Sequence, residues 1–239
     1  MGYRVVVLSL RRPDVLGTAA VRALREASTV VADATVPEEI RADLGAALLD
    51  GEPPSGSVLL TTDPGLGADT AVIAAPPGIA LLDAVAVMDR LRSPGGCPWD
   101  AEQTHASLLQ YLVEECYELY DAIEQGDRDA MREELGDVLL QVLFHARVAA
   151  EEDSGFTIDD VAGVLVDKLV GRHPHVFAGT ERVDTAARQA QRWEELKQKE
   201  KQRASSVDGV ALGQPAVALA AKLTSRTARA GLPSELLPS

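Results

Sequence analysis

The chain has 239 residues and a formal net charge of −14, which allows one large domain or two small ones. It is 46% hydrophobic and 25% charged, as in ordinary globular proteins, but only 4% aromatic, so aliphatic side chains must build the core. A nucleic-acid-binding protein is expected to carry a basic face, so the acidic balance argues against nucleic acid as a partner. The charge either serves solubility alone or includes carboxylates that hold a cation.

Targeting and membrane signals are absent from the sequence pattern. No apolar run approaches the roughly 18 residues of a membrane-spanning helix, so we expect no membrane partner. The short apolar run at residues 4–8 lacks the length and the cleavage site of a signal peptide, so we expect the protein in the cytoplasm. Cys97 and Cys116 form no metal-type Cys-x-x-Cys, and we interpret both as reduced.

The first 80 residues alternate between β-like and helical patterns. Four short runs rich in branched residues predict strands at residues 4–8, 29–32, 58–61 and 71–74, and a helix is predicted at 18–27. Proline and glycine clusters separate these runs. The pattern predicts a small α/β segment over residues 1–80.

From residue 81 onward the periodicity becomes helical. Helices are predicted at residues 83–92, about 107–125, about 129–153, from a capping box at Thr157 to about Gly171, and from Pro215 to Gly231. Residues 186–204 are strongly polar. We therefore expect a mainly α protein, with a helical domain over residues 81–239 after the small α/β segment.

Two of these helices carry acidic residues at helical spacing. Glu114, Glu115 and Glu118 share one side of the first helix, and Glu134 and Asp137 are three residues apart on the second. The acids border apolar positions, and a short connection at residues 125–128 makes the two helices antiparallel neighbours. The acid pairs are therefore expected to face each other across the seam between the helices.

This arrangement has two interpretations. Carboxylates brought together at a seam are costly to desolvate, and divalent cations would remove that cost. A purely oxygen ligand set favours Mg²⁺, with Mn²⁺ as a substitute, and such cations bind together with substrate phosphates. The implied chemistry is phosphoryl hydrolysis by water that the metal binds and orients. The alternative is a non-catalytic helical interaction module whose acids form solvated faces.

Four segments in order resemble the MazG family of nucleoside triphosphate pyrophosphohydrolases. The acids of the first helix, followed by those of the second helix, match its EExxE…ExxD signature. The other matches are GCPWDAEQTH at residues 96–105, KLVGRHPHVF at 168–177 and WEELK at 193–197. The resemblance covers residues 83 to about 232. It implies an all-α fold, a homodimer with helices from both protomers around the sites, and Mg²⁺-dependent hydrolysis of a nucleoside triphosphate to the monophosphate and pyrophosphate. A role in removing aberrant nucleotides is also implied.

The resemblance assigns roles to individual acids. Glu114 matches the remaining acid of the first cluster, and we predict that it orients or deprotonates the attacking water. The positions that match the family's metal ligands are Glu115, Glu118, Glu134 and Asp137.

Basic and aromatic positions receive substrate roles in the same way. Lys168 and Arg172 match residues that meet the triphosphate, and Trp193 matches an aromatic residue near the nucleotide. Lys197 is a further candidate for a phosphate contact. Many members have a lysine where this chain has Tyr111, so one phosphate contact is either missing or supplied elsewhere.

For the histidines and tryptophans, a structural role and a functional role are compared. His173 and His175 flank a proline, which favours a structural loop that fixes Arg172 over a two-histidine metal site. His145 lies among apolar residues and is predicted to be a hydrogen-bonded core histidine. Trp99 is predicted to plug the core rather than to stack on a ligand. For Trp193, base contact and packing both stay open.

The N-terminal segment resembles the opening of a tetrapyrrole methylase. The likeness lies in residues 12–33 and in Asp-Pro-Gly at 63–65. Ser-Leu-Arg-Arg at residues 9–12 replaces the expected glycine-rich turn, and without those glycines the backbone cannot approach a cofactor closely. We interpret the segment as a degenerate remnant without methyltransferase activity.

Overall fold

The structure is a computed structural model and describes residues 2–9, 11–66, 71–179, 185–186, 188–189, 192–193, 205 and 207–231. The chain divides into two compact units, Met1–Val161 and Ala162–Ser239. Within the described residues, no helix is both long and apolar enough to cross a membrane.

A five-stranded parallel sheet occupies the N-terminal part of the first unit. The strands lie in the order β3-β2-β4-β1-β5, and every pair is parallel. Their bounds are β1 (Arg4–Val7), β2 (Val30–Ala32), β3 (Ala47–Leu48), β4 (Val58–Thr61) and β5 (Ala71–Ile73). Alternate side chains point to opposite faces of a strand, so Val5 and Val6 enter different clusters of buried residues. The sheet is therefore buried on both faces at its centre, which is typical of parallel sheets.

Two helices connect the first strands. Helix α1 (Thr18–Glu26) and helix α2 (Glu38–Asp43) follow β1 and β2. Ala20 and Ala23 of α1 are buried in the same cluster as Val6 and Leu60 of the sheet. These small side chains let the helix lie close to the strands.

The remaining elements are helices. They are α3 (Ile79–Arg92), α4 (Pro98–Glu102), α5 (His105–Gln125), α6 (Arg128–Ala149), α7 (Ile158–Arg172), α8 (Pro174–Phe177) and α9 (Ala216–Arg229). Helices α3, α5 and α6 share a second core in which Met88, Leu108, Leu143 and Phe144 are buried.

Helices α5 and α6 form a hairpin with a two-residue connection. Thr104 caps α5, because its side chain accepts a hydrogen bond from the Ser107 amide while Ser107 Oγ accepts one from the Thr104 amide. Gly126 ends α5 with a φ of 72°, which glycine adopts without strain. Asp127 then caps α6 by accepting from the amides of Asp129 and Ala130. Both ends of the connection are thus fixed by local hydrogen bonds.

The predicted elements are largely confirmed, and the mainly α class with a small N-terminal parallel sheet is what the structure contains. Helix α2, strand β3 and helix α4 were not predicted. The predicted boundary near residue 80 lies at the start of α3, and the division into domains there stays a prediction.

Two predictions of local structure were wrong. The helix predicted to run to residue 153 ends at Ala149, because the chain folds back so closely that a Cβ on Gly155 would lie 2.0 Å from the Ala149 carbonyl oxygen. The predicted loop around His173 and His175 contains α8, which begins at Pro174. Proline at the first helical position is well suited to such a short helix.

Candidate active site

The acids of α5 and α6 meet at the seam of the helical hairpin. Carboxylate oxygens of Glu115, Glu134 and Asp137 all lie within 4.8 Å of one another, and each of the three side chains is half-buried. Glu115 comes from α5, whereas Glu134 and Asp137 come from adjacent turns of α6. The predicted convergence of acids from both helices is therefore present for these three residues.

The other two acids of the motif lie at the edge of this group. Glu118 and Glu114 are exposed on α5. Glu118 lies outside the group of three, and after burial its negative charge is among the causes that raise the pKa of Glu134. Glu114 also contributes to the negative field at Glu115. The roles predicted for all five acids stay predictions.

Burial and mutual repulsion disfavour the charged forms of these acids. Partial burial, followed by repulsion from Asp137, Glu118, Glu134 and Glu114, raises the pKa of Glu115. Partial burial and then repulsion from Glu118, Asp137 and Glu133 likewise raise the pKa of Glu134. The protein therefore concentrates negative charge at a place where it is costly.

This donor set fits a hard divalent cation. Its groups are carboxylate oxygens at close mutual distances, and oxygen ligands are those that Mg²⁺ and Mn²⁺ prefer. A bound cation would remove the repulsion that raises the pKa of Glu115 and Glu134. The same cation could accept phosphate oxygens as further ligands.

The predicted substrate residues lie in the second unit. Lys168 is exposed on α7, and Arg172, the last residue of α7, is only 5% exposed. The Arg172 guanidinium lies over the half-buried Trp193 ring at 4.8 Å. Lys197 lies outside the described residues. The structure thus brings Arg172 and Trp193 together, and the substrate roles of all four residues stay predictions.

Trp193 is packed by a second neighbour. The His173 ring lies 5.1 Å from the Trp193 ring, and His173 Nδ1 donates to the Leu169 carbonyl oxygen at 2.6 Å. That hydrogen bond occupies one of the two His173 nitrogens, which agrees with a structural role for this histidine. Packing is therefore part of what Trp193 does.

Trp99 is more exposed than expected. Its ring packs edge-on against Tyr111 at 6.1 Å and against Phe144 at 6.4 Å, yet Trp99 remains 51% exposed. The prediction that Trp99 plugs the core is correct for its contacts and wrong for its burial. Tyr111, for which the resemblance implies a lysine in many members, packs on the core of the helical hairpin.

Sequence reasoning missed two side chains that fix the surroundings of the hairpin. The Arg92 side chain is buried and donates to the Asp100 and Gln103 carbonyl oxygens, and it forms an ion pair with Glu151. His105 bonds His145 through the two Nδ1 atoms at 2.8 Å, so the prediction of a hydrogen-bonded His145 is confirmed. These partners are 59 and 40 residues apart, and no spacing rule connects them.

Two family models match the chain. The model described as the MazG nucleotide pyrophosphohydrolase domain matches residues 103–177. The model described as the MazG N-terminal domain matches residues 3–76. The first match contains all five acids and both helices of the hairpin. The second covers the segment that resembles a methylase, whose degenerate origin stays a prediction.

Named relatives align with most of the chain. A nucleoside triphosphate pyrophosphohydrolase of Mycolicibacterium smegmatis is 48% identical over 98% of this chain and 75% of its own length. One of Mycobacterium tuberculosis is 46% identical over 98% of this chain and 74% of its own length. A nucleoside triphosphate pyrophosphohydrolase/pyrophosphatase MazG of Thermotoga maritima is 44% identical over 64% of this chain and 59% of its own length.

Proposed function

The chain belongs to the MazG family, and we propose from that membership that it hydrolyses nucleoside triphosphates to nucleoside monophosphates and pyrophosphate. The observation that carries the proposal is the group of three carboxylates at the seam of α5 and α6, inside the segment matched by the pyrophosphohydrolase domain. A glycine-rich phosphate loop ending in Lys-Ser/Thr would favour release of the terminal phosphate, and the sequence contains no such loop. The chemical balance is one triphosphate and one water to one monophosphate and one pyrophosphate.

Mg²⁺ is the proposed cofactor, with Mn²⁺ as a substitute. Its proposed ligands are Glu115, Glu118, Glu134 and Asp137, of which three have oxygens within 4.8 Å of one another. When bound, the cation supplies charge neutralisation at the phosphates and orients water. The proposal is supported by the raised pKa of Glu115 and Glu134, because burial and repulsion are costs that a cation offsets.

The chain's own residues are proposed to bind the substrate and move a proton. Glu114, exposed beside the carboxylate group, accepts a proton from the attacking water or orients that water. Lys168 and Arg172 bind the triphosphate as cations, and Lys197 is a further phosphate contact. Trp193 lies against the Arg172 guanidinium, so its first role is to hold that side chain in place.

The domain organisation and the cellular role are also proposals. We assign residues 81–239 to a MazG-like all-α pyrophosphohydrolase domain, preceded by a small α/β segment over residues 1–80 without methyltransferase activity. The proposed task is removal of aberrant nucleotides in the cytoplasm, with neither nucleic acid nor membrane as a partner.

A homodimer with helices from both protomers around the sites is the proposed assembly. Helix α5 supports this proposal, because large apolar side chains at intervals of three and four residues form one exposed stripe along it. The stripe consists of Leu109, Val113, Tyr117, Tyr120 and Ile123, each more than half exposed. Such contiguous apolar surface is typical of a protein interface. A second copy of the chain is the proposed occupant, and light scattering that gives a monomer at micromolar concentration would contradict it.

Product analysis tests the proposed function. ATP incubated with the protein and Mg²⁺ is expected to give AMP and pyrophosphate, resolved by chromatography, and no ADP. Release of ADP and phosphate would overturn the proposed reaction. Thermal unfolding with millimolar Mg²⁺ and a non-hydrolysable triphosphate analogue is expected to shift upward, since these ligands bind the folded state. If the protein shows no turnover and no thermal shift, the results would favour the non-catalytic interaction module instead.

A further inference from the structure

Two histidines from the two acid-bearing helices share one short hydrogen bond. His105 is the first residue of α5, and His145 lies on α6. Their Nδ1 atoms are 2.8 Å apart, and the two rings are nearly parallel, with an interplanar angle of 9°. Two bare nitrogens would repel at this distance, and so would two N–H groups. One proton therefore lies between the two rings.

The surroundings decide which ring donates that proton. His145 Nε2 is buried without a hydrogen-bond partner, whereas His105 Nε2 faces the Glu152 carboxylate at 3.9 Å. A buried N–H without an acceptor is a rarer and costlier defect than a buried acceptor. His145 therefore carries its proton on Nδ1 and donates to His105. His105 then carries its own proton on Nε2, directed toward the negative Glu152.

We propose that this pair is a clasp, formed by His145 as donor and His105 as acceptor, which positions the acid-bearing helices. It opens when a further proton on His145 leaves a buried N–H without an acceptor. The tautomer assignment is independent of the proposed function. The effect of the clasp on Mg²⁺ binding by the carboxylates rests on the proposed function.

The clasp fixes the position of α5 along the axis of α6. Glu115 lies ten residues after His105, and Glu134 and Asp137 lie eleven and eight residues before His145. In an antiparallel pair, such matched offsets put the histidines and the acids in the same register. The histidines hold that register at a point about 15 Å along α5 from Glu115. His105 and His145 are thus positioning residues, since they act on the acids through the helices.

Protonation of His145 opposes the clasp. Burial, and secondarily the neighbouring His105, lowers the pKa of His145. A proton on His145 Nε2 would be buried without an acceptor. Because His145 takes up a proton less readily in the folded state than in the unfolded state, its contribution to stability is lost as the pH falls below the ordinary histidine pKa of about 6.5.

Four further charged side chains near this end of the hairpin form ion pairs with one another. Arg92 and Arg147 both bond Glu151, and Arg147 also bonds Asp89. These two cations and two anions come from α3, α6 and the turn after α6. Glu152 faces the clasp, and its negative charge favours the Nε2–H tautomer of His105.

Nitrogen NMR tests the tautomers directly. The chain has four histidines, so the ring signals of a ¹⁵N-labelled sample are few enough to assign. At pH 7.5 we expect His145 as the Nδ1–H tautomer and His105 as the Nε2–H tautomer. The opposite assignment, or the Nε2–H form for both rings, would overturn the proposed donor.

A non-titrating replacement tests the pH response. Asparagine places an amide donor or acceptor near the position of Nδ1, so the double variant His105→Asn, His145→Asn keeps a hydrogen bond without a histidine. On acidification from pH 7.5 to 5.5 without metal, the native protein is expected to lose about 2–4 °C more in Tm than the double variant. Equal losses would overturn the acid-sensitive clasp, and His145→Phe serves as the variant without the bond.

Metal affinity separates positioning from bulk stability. For the native protein, the Mg²⁺ affinity measured by calorimetry is expected to fall at least about threefold more between pH 7.5 and 6.0 than for the double asparagine variant. Protonation of the carboxylates is common to both proteins and cancels in this comparison. At pH 7.5 the variant His145→Phe should bind Mg²⁺ more weakly than the double variant does. If all three proteins bind Mg²⁺ alike at both pH values, the clasp does not position the acids.

Discussion

Arg92 and Glu151 form a bidentate ion pair that ties the end of α3 to the second residue after the end of α6. Arg92 Nε lies 3.0 Å from one Glu151 carboxylate oxygen, and a terminal guanidinium nitrogen lies 2.7 Å from the other. The Arg92 side chain is 4% exposed and that of Glu151 is 40% exposed. The pair therefore compensates a buried cation at the rim of the helical core.

Replacing Glu151→Gln is expected to destabilise the protein by about 1–3 kcal/mol at pH 7. This loss of stability lies between the values typical of exposed ion pairs and of buried ion pairs, because water partly screens Glu151. Hydrogen bonding by Arg92 is the main cause that lowers the pKa of Glu151 from 4.5. The contribution is therefore present above pH 4.5 and is lost as the pH falls through the lowered pKa.

Urea unfolding at several pH values measures this contribution. The gap between native protein and variant should narrow steadily below pH 4.5. Asp153→Asn, an exposed neutralisation two residues away, is the matched control and should change stability little at any pH. A gap that stays constant from pH 7 to pH 3 would contradict the electrostatic origin.

Removing charge from the acid group is expected to separate turnover from stability. Glu118→Gln and Asp137→Asn should each lower kcat at least about a hundredfold, because transition-state charge stabilisation worth several kcal/mol depends on the cation. The metal-free proteins should be as stable as the native chain or more stable, since a repulsive carboxylate is gone. Steady-state kinetics and thermal unfolding without metal measure the two effects.

Glu124→Gln is the control for both variants, because Glu124 is exposed near the end of α5 and outside the acid group. It should leave kcat and stability nearly unchanged. If Glu118→Gln and Asp137→Asn turn over substrate as fast as Glu124→Gln, the proposed metal ligands are wrong.

The contact between Arg172 and Trp193 predicts a uniform effect on substrate affinity. Trp193→Leu removes the ring beneath the guanidinium, whose attraction is worth about 0.5–2 kcal/mol. The KM for nucleoside triphosphates should therefore rise roughly 2–30-fold. Because the effect passes through Arg172, whose proposed partner is the triphosphate and not the base, the rise should be similar for all four bases.

Trp193→Phe keeps an aromatic face and should restore most of the affinity. A rise in KM that differs strongly between purine and pyrimidine substrates would point instead to direct contact with the base. Unchanged KM in both variants would mean that Trp193 only packs.

The turn after α6 predicts an unusual sensitivity at one glycine. A Cβ at position 155 would lie 2.0 Å from the Ala149 carbonyl oxygen, so Gly155→Ala forces the backbone apart and should cost about 1–3 kcal/mol. Gly163→Ala in α7 meets no atom within 4 Å and should stabilise the protein by about 0.5–1 kcal/mol. Thermal unfolding of both variants should give shifts of opposite sign, and a destabilising Gly163→Ala would contradict the comparison.

Local patterns predicted the elements, but contacts between distant residues lay beyond them. Strand β4 and the hairpin of α5 and α6 follow from branched residues, helical periodicity and a glycine stop. Strand β3 was missed because two residues carry no readable period. The acids could be placed because helical spacing and a short connection fix their positions, whereas the pairing of Arg92 with Glu151 depends on how α3 packs on α6.

The two-residue connection between α5 and α6 also bears on how the chain folds. Residues 114–137, which carry all five acids, belong to one helical hairpin, so this region can form through contacts of low sequence separation. Repulsion among the carboxylates then opposes an early step on the folding pathway. Salt screens such repulsion, so stopped-flow experiments should find that added salt accelerates refolding more than it slows unfolding.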